Sequence, residues 1–247
     1  LAFPDAYSIG MSHHGLQVLY AVMNRRDDWA CERAFAPWPD MEQLLRREGL
    51  PLYSLETCTP LNRFDVVGFT LQYEMCCTNV LTMLDLGGIP LRSVDRTESH
   101  PLIIAGGPCA SSPEPMSPFI DLFVIGDGEE MLPRVCDAWL EQKGLGRSRE
   151  ESLAALANEL PHVYVPRFYE PAFHESPSSS VRPRPTRPGL PELIEPAVVE
   201  DLDGAALPDR PVVPNVEVVQ DRIAIEIMRG CPWRCRFCQS SKIKRPV

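Results

Sequence analysis

The sequence predicts an α/β fold built on a doubly wound parallel sheet. Short runs of consecutive apolar residues recur along residues 1–140, segments with apolar residues at helical spacing separate them, and glycine or polar residues follow the runs. Parallel strands covered on both faces read as continuously apolar, whereas half-exposed strands alternate. Strand and helix in regular succession give βαβ units.

The elements follow in order. Leu1–Phe3 reads as a strand, and Leu16, Leu19, Tyr20 and Met23 then share one helix face. Ala34–Phe35 is a weaker strand. Val66–Leu71 is a strand, followed by a helix stripe of Val80, Leu81 and Leu84. Leu102–Ala105 and Leu122–Ile125 are strands, and Met131, Leu132, Val135 and Trp139 mark the last helix. This is Rossmann- or flavodoxin-like layering, assigned to residues 1–145.

The residues after each strand carry the first hint of function. Leu1–Phe3 runs into Asp5, Tyr7 and Gly10; Val66–Leu71 into Gln72, Tyr73 and Glu74; Leu102–Ala105 into Gly106 and Gly107; Leu122–Ile125 into Gly126, Asp127, Gly128 and Glu129. Open α/β sheets bind ligands at the carboxyl ends of their strands, and glycine there lets a ligand approach the backbone. Marking turns is the alternative role for the same glycines.

Composition narrows the class. With 247 residues, 44% hydrophobic and 23% charged, the chain is globular. No apolar run approaches the roughly 20 residues of a membrane span, and no signal peptide is visible, so we expect a cytoplasmic protein without a membrane partner. The start at Leu1 and the end just past the densest cysteine cluster lead us to expect part of a longer protein.

The net charge of −10 argues against a general nucleic-acid-binding surface. Residues 229–247 are the exception, with Arg229, Arg234, Arg236, Lys242, Lys244 and Arg245 and no acidic residue.

Residues 146–219 read as a linker. From Pro161 to Pro214 there are 12 prolines and a Ser-Ser-Ser run, which disfavour long helices and central strands. Short edge strands are expected at His162–Val165 and Ala197–Val199. Residues 220–247 form a third segment, in which Arg222–Met228 alternates as a strand does.

Nine cysteines divide into two groups. Cys31, Cys58, Cys76, Cys77, Cys109 and Cys136 are scattered among apolar neighbours and read as small hydrophobes. Cys231, Cys235 and Cys238 form a CxxxCxxC array, in which three thiolates at spacings of four and three can wrap one soft metal centre. Structural zinc and plain electron-transfer clusters use four protein ligands. Three ligands suit a 4Fe-4S cluster with one open iron; a zinc site completed by a distant residue, or a redox-active dithiol, is the alternative. Neighbouring Arg and Lys stabilise the anionic ligands.

Glu226-x-x-Arg229-Gly230-Cys231-Pro232-x-x-Cys235-x-Phe237-Cys238 resembles the opening motif of the radical S-adenosylmethionine (SAM) superfamily. The resemblance implies that Cys231, Cys235 and Cys238 hold a 4Fe-4S cluster whose open iron takes SAM. It also implies reductive cleavage to a 5′-deoxyadenosyl radical, Phe237 beside the adenine, Glu226 on the first strand of a truncated (β/α) barrel, and an electron donor such as flavodoxin or ferredoxin.

Gly106-Gly107-Pro108 and Gly126-Asp127-Gly128-Glu129 resemble the strand-end signatures of cobalamin-binding domains found upstream in such enzymes. Asp5, Tyr7 and Gly10 stand where some of those domains carry Asp-x-His-x-x-Gly, with Tyr7 at the histidine. Over nearly its whole length, including Phe35-Ala-Pro-Trp-Pro-Asp40 and Leu84-Asp-Leu-Gly-Gly-Ile-Pro90, the chain is similar to a bacterial family of cobalamin-domain radical SAM proteins. The resemblance names cobalamin, SAM and the cluster as cofactors and leaves the substrate open. A second reading makes the basic run of residues 229–245 an RNA-contact patch, in a tRNA-modifying enzyme or an RNA-binding module with a structural metal.

Overall fold

The computed structural model describes residues 1–172, 182–205 and 208–244. Six strands form one sheet in the order β2-β1-β3-β4-β5-β6, comprising β1 (Ala2–Phe3), β2 (Ala34–Phe35), β3 (Val66–Thr70), β4 (Leu102–Gly106), β5 (Leu122–Val124) and β6 (Val163–Tyr164). The first five run parallel and β6 is antiparallel to β5. The longest ladder joins β3 to β4, from Val66 opposite Leu102 to Thr70 opposite Gly106.

Alternation along the strands feeds two apolar layers. Val67, Phe69, Ile103, Ala105 and Phe123 meet α4 (Cys77–Leu86) through Val80, Met83 and Leu84. Leu102, Ile104, Leu122 and Val124 point the other way, onto α5 (Met131–Gly144) and α6 (Arg149–Glu159). Every strand expected in residues 1–140 is present because side chains on both of its faces have an apolar layer to enter. Two further helices lie on this side of the chain, α1 (Tyr7–Gly10) and α2 (His14–Met23).

Two of the longer helices stand where none was expected. In α3 (Pro39–Glu48), proline occupies the first turn with Asp40 and Glu42, Arg46 and Arg47 sit in the last turn, and Gly49 closes the end at φ 64°. The second, α6, lies inside the expected linker and starts with a Ser148/Glu151 capping box. Leu153 and Leu156 of α6 are fully buried. The compact body therefore continues beyond residue 145 through β6 to Phe168, which is 1% exposed.

Beyond it, β7 (Tyr169–Ala172) pairs antiparallel with β8 (Arg182–Pro185). The expected edge strand at 197–199 contributes one bridge, Ala197 to Gly126. The expected strand over 222–228 has no ladder among the described residues, and Ile223, Ile225 and Ile227 are 82%, 75% and 92% exposed. Alternating β-branched residues favour extended backbone, but a strand also needs a neighbour for its N–H and C=O groups. One short helix, α7 (Ser240–Ile243), follows the cysteines. Among the described residues no helix is long and apolar enough to cross a membrane.

Candidate functional site

The strand order reverses at β1, the position at which doubly wound sheets open a crevice. A cavity of about 340 Å³ lies there. Its floor is apolar, from Leu16 and Leu19 of α2 and from Phe69, Ile104 and Val124 of the sheet. Its rim consists of the strand ends at Thr70 and Gln72, Gly106 and Gly107, and Gly126 to Glu129. Glu226, Arg229 and Lys244 line the same cavity, so the cysteine-bearing segment lies over it.

The two histidines at the start of α2 line the cavity as well. His13 Nδ1 caps α2, accepting from the Leu16 N–H at 3.2 Å. Burial pushes the His13 imidazole pKa down, against an opposing hydrogen bond with Gln72. The buried Nε2 of His14 has no hydrogen-bond partner among the described residues.

Polar contacts at the rim converge on Arg229. Its guanidinium donates to Glu226 through Nε and Nη2, both at 2.8 Å, and to Glu129 at 2.6 Å, and its Nη1 lies 3.2 Å from Asp127. Lys244 Nζ reaches the second Asp127 oxygen at 2.6 Å. The Arg229, Asp127 and Glu129 side chains are 10%, 6% and 11% exposed, a degree of burial at which paired charges count for more than at the surface.

Titration reflects this pairing. The Glu226 carboxyl is held below its ordinary range, chiefly by the Arg229 hydrogen bond. Burial pushes the Asp127 carboxyl up, but the Lys244 and Val199 hydrogen bonds and the Arg229 charge outweigh it and hold the group below its ordinary range. Arg229 is driven above the ordinary guanidinium value, first by Glu226.

The expected ligand residues separate into two groups. Gly106, Gly107, Gly126 and Glu129 line the cavity, whereas Asp5, Tyr7 and Gly10 do not. The Tyr7 hydroxyl accepts from the Asn215 N–H, Asp5 accepts from the Ala6 N–H and from the Tyr73 hydroxyl, and Gly10 lies under the Phe35 ring. The glycines at φ +94° and +99° have reasons within the chain. A Cβ on Gly107 would stand 2.8 Å from the Leu71 carbonyl, and one on Gly126 2.2 Å from that of Ala197. Both glycines thus permit a close approach of the protein's own backbone.

Cys231 and Cys238 are partly buried and Cys235 is exposed, as is Phe237 at 93%. Among the described residues no three His, Cys, Asp or Glu side chains converge as a metal-ligating group. A thiolate site is commonly completed only as the metal draws its ligands together. Sequence reasoning quoted Arg229, Lys244 and Asp127 but did not place them in the site. The available signal was a run of six basic residues without an acidic one in an otherwise acidic chain.

Of the six basic residues in the run, Arg229 and Lys244 are thus engaged by carboxylates, and Arg245 lies outside the described residues. The protein MJ0966 of Methanocaldococcus jannaschii, described as uncharacterized, is 22% identical over 198 residues, covering 79% of this chain and 34% of that protein. The chain thus spans about a third of that relative's length. A family model described as radical SAM proteins, N-terminal, matches residues 15–166. That match takes in most of the sheet, α2 to α6 and most of the cavity rim, and on it the chain belongs to the radical SAM proteins, as their N-terminal region.

Proposed function

We propose that Cys231, Cys235 and Cys238 hold a 4Fe-4S cluster and that the protein containing this chain is a radical SAM enzyme. The CxxxCxxC array, in a chain whose α/β body belongs to this family, carries the reading. The donor set fits the group: three thiols lie in a stretch from Arg229 to Lys244 that has no acidic residue. Thiolates, not thiols, bind iron, and a cationic surround favours them. Held by these cysteines, a cluster would supply the one electron by which SAM is cleaved reductively to methionine and a 5′-deoxyadenosyl radical. Flavodoxin or ferredoxin is the class of donor that renews the electron, and the cysteine usage supports a reducing cytoplasm.

This chain's other residues bind and orient. The exposed Phe237 ring offers a stacking face for adenine. Glu226 is fixed in place by two hydrogen bonds from Arg229, at the mouth of the cavity.

Cobalamin fits less well. A cavity of about 340 Å³, with Arg229, Glu226 and Lys244 in its lining, is small for a group of that size. Tyr7, at the histidine position of the motif, accepts from the Asn215 N–H and does not line the cavity. With the cysteine loop docked the residues do not accommodate a whole cobalamin.

Anaerobic reconstitution of the intact protein with iron and sulfide tests the reading. Cluster absorption and SAM cleavage are expected in the wild type and lost in Cys235→Ala. Absence of a cluster from the wild type overturns it.

A further inference from the structure

The loop that carries the three cysteines is fastened at both ends to one aspartate. Asp127 follows β5, and its carboxylate is fixed from behind by the Val199 N–H at 3.0 Å. One oxygen lies 3.2 Å from Arg229 Nη1, just before Cys231, and the other 2.6 Å from Lys244 Nζ, just after α7. The Cys231 N–H donates to the Lys244 carbonyl at 3.4 Å, closing the neck of the loop. All three cysteines lie between the two fastened residues.

We propose that Asp127 is a positioning residue, which pins both ends of the cysteine loop and thereby preorganises Cys231, Cys235 and Cys238 for cluster assembly. The proposal rests on the cluster reading above. Asp127 acts through Arg229 and Lys244 and not by contact with the thiols. Gathering three thiols from an open segment costs backbone and loop-closure entropy. A loop whose neck is already closed has lost part of that entropy before any metal arrives. Apparent affinity scales with the fraction of molecules in the competent form, so a loop released to about one molecule in ten binds about tenfold more weakly. Residues behind a metal site affect affinity on the order of 10–100-fold.

The test compares the intact wild-type protein with Asp127→Asn and Lys244→Met. The second variant leaves Asp127 and its Val199 hydrogen bond in place, and alters a side chain that is 36% exposed, so the fold is retained. Co²⁺ alone is the probe, read by thiolate-to-metal absorption, with amide exchange at Cys231 measured in the metal-free protein. Asp127→Asn should bind Co²⁺ about tenfold more weakly and Lys244→Met several-fold more weakly, both with faster exchange at Cys231. Wild-type affinity and exchange in both variants overturn the proposal, while the cluster reading still stands on the wild type. A loss in Asp127→Asn alone assigns the effect to the Val199 bond and overturns the pinning. A wild type with no thiolate absorption and no cluster overturns both.

Discussion

Replacing Asp121 by Asn should destabilise the α/β body severely. Asp121 precedes β5, and its side chain is fully buried together with that of Arg96, while that of Arg149 is 3% exposed. One carboxylate oxygen accepts from Arg96 at 3.0 Å, Arg149 at 2.7 Å and the Ile103 N–H at 2.8 Å. The remaining guanidinium contacts are to neutral carbonyls, including those of Pro90 and Phe119 for Arg96 and of Thr97 and Pro101 for Arg149. Burial pushes the Arg96 pKa down, with Asp121 as the chief opposing influence. Asparagine keeps the shape and removes the only negative charge in these contacts, leaving two buried cations. Removing one partner of a buried pair costs about 3–5 kcal/mol. At about 2–4 °C per kcal/mol that is roughly 6–20 °C in Tm. Thermal unfolding followed by circular dichroism reads it. Lys143→Ala is the control, because the Lys143–Asp65 pair is 50% and 60% exposed and should be worth less than about 1 kcal/mol. An Asp121→Asn protein that melts within about 2 °C of wild type, or no lower than Lys143→Ala, refutes the reasoning.

Gly126→Ala should destabilise by more than about 2 kcal/mol, since φ is +99° and the added carbon meets the Ala197 backbone; a neutral melting curve would contradict this. The clamp on Arg229 should weaken in acid. The folded pKa values of Asp127 and Glu226 lie below their ordinary ones, so their contribution is complete above about pH 4.5 and fades as pH falls through the folded values. The Tm gap between wild type and Arg229→Met should therefore hold from neutral pH to about 5 and shrink below about 4, and a gap that widens in acid would refute it. In the metal-free protein at pH 8, iodoacetamide should modify the exposed Cys58 and Cys235 well before Cys136, which is buried with its thiol pushed up to about 12 by desolvation. Mass spectrometry gives the order, and early labelling of Cys136 would count against the packing described.

How much of this was legible in the sequence depends on what stabilises each element. The strands read at Val66–Leu71 and Leu102–Ala105 stand at Val66–Thr70 and Leu102–Gly106, because central parallel strands covered on both faces are mostly apolar and their composition marks them. The α6 helix was hidden by its setting, although Ser148 and Glu151 carried a capping signal; prolines just beyond it made the whole stretch look irregular. The 222–228 segment erred in the other direction, because alternation reports a preference for extended backbone and not the presence of a neighbour. Glycines at the strand ends were read as openings for a ligand; Gly126 and Gly107 line the cavity and also admit the backbones of Ala197 and Leu71, which the sequence did not reveal. In the site, the CxxxCxxC spacing was legible because it is local in the chain and needs no fold to be seen. The Arg229 and Lys244 pairing with Asp127 spans 102 and 117 positions along the chain, and only the fold brings those charges together.

The proposed function turns on whether Cys231, Cys235 and Cys238 hold a redox cluster. Reconstitution of the intact protein under strictly anaerobic conditions, followed by electron paramagnetic resonance after reduction, tests it most directly. The account predicts a reduced 4Fe-4S signal that changes on adding SAM and is lost in Cys231→Ala, Cys235→Ala and Cys238→Ala. A wild type without a cluster signal, or a signal indifferent to all three substitutions, would contradict it.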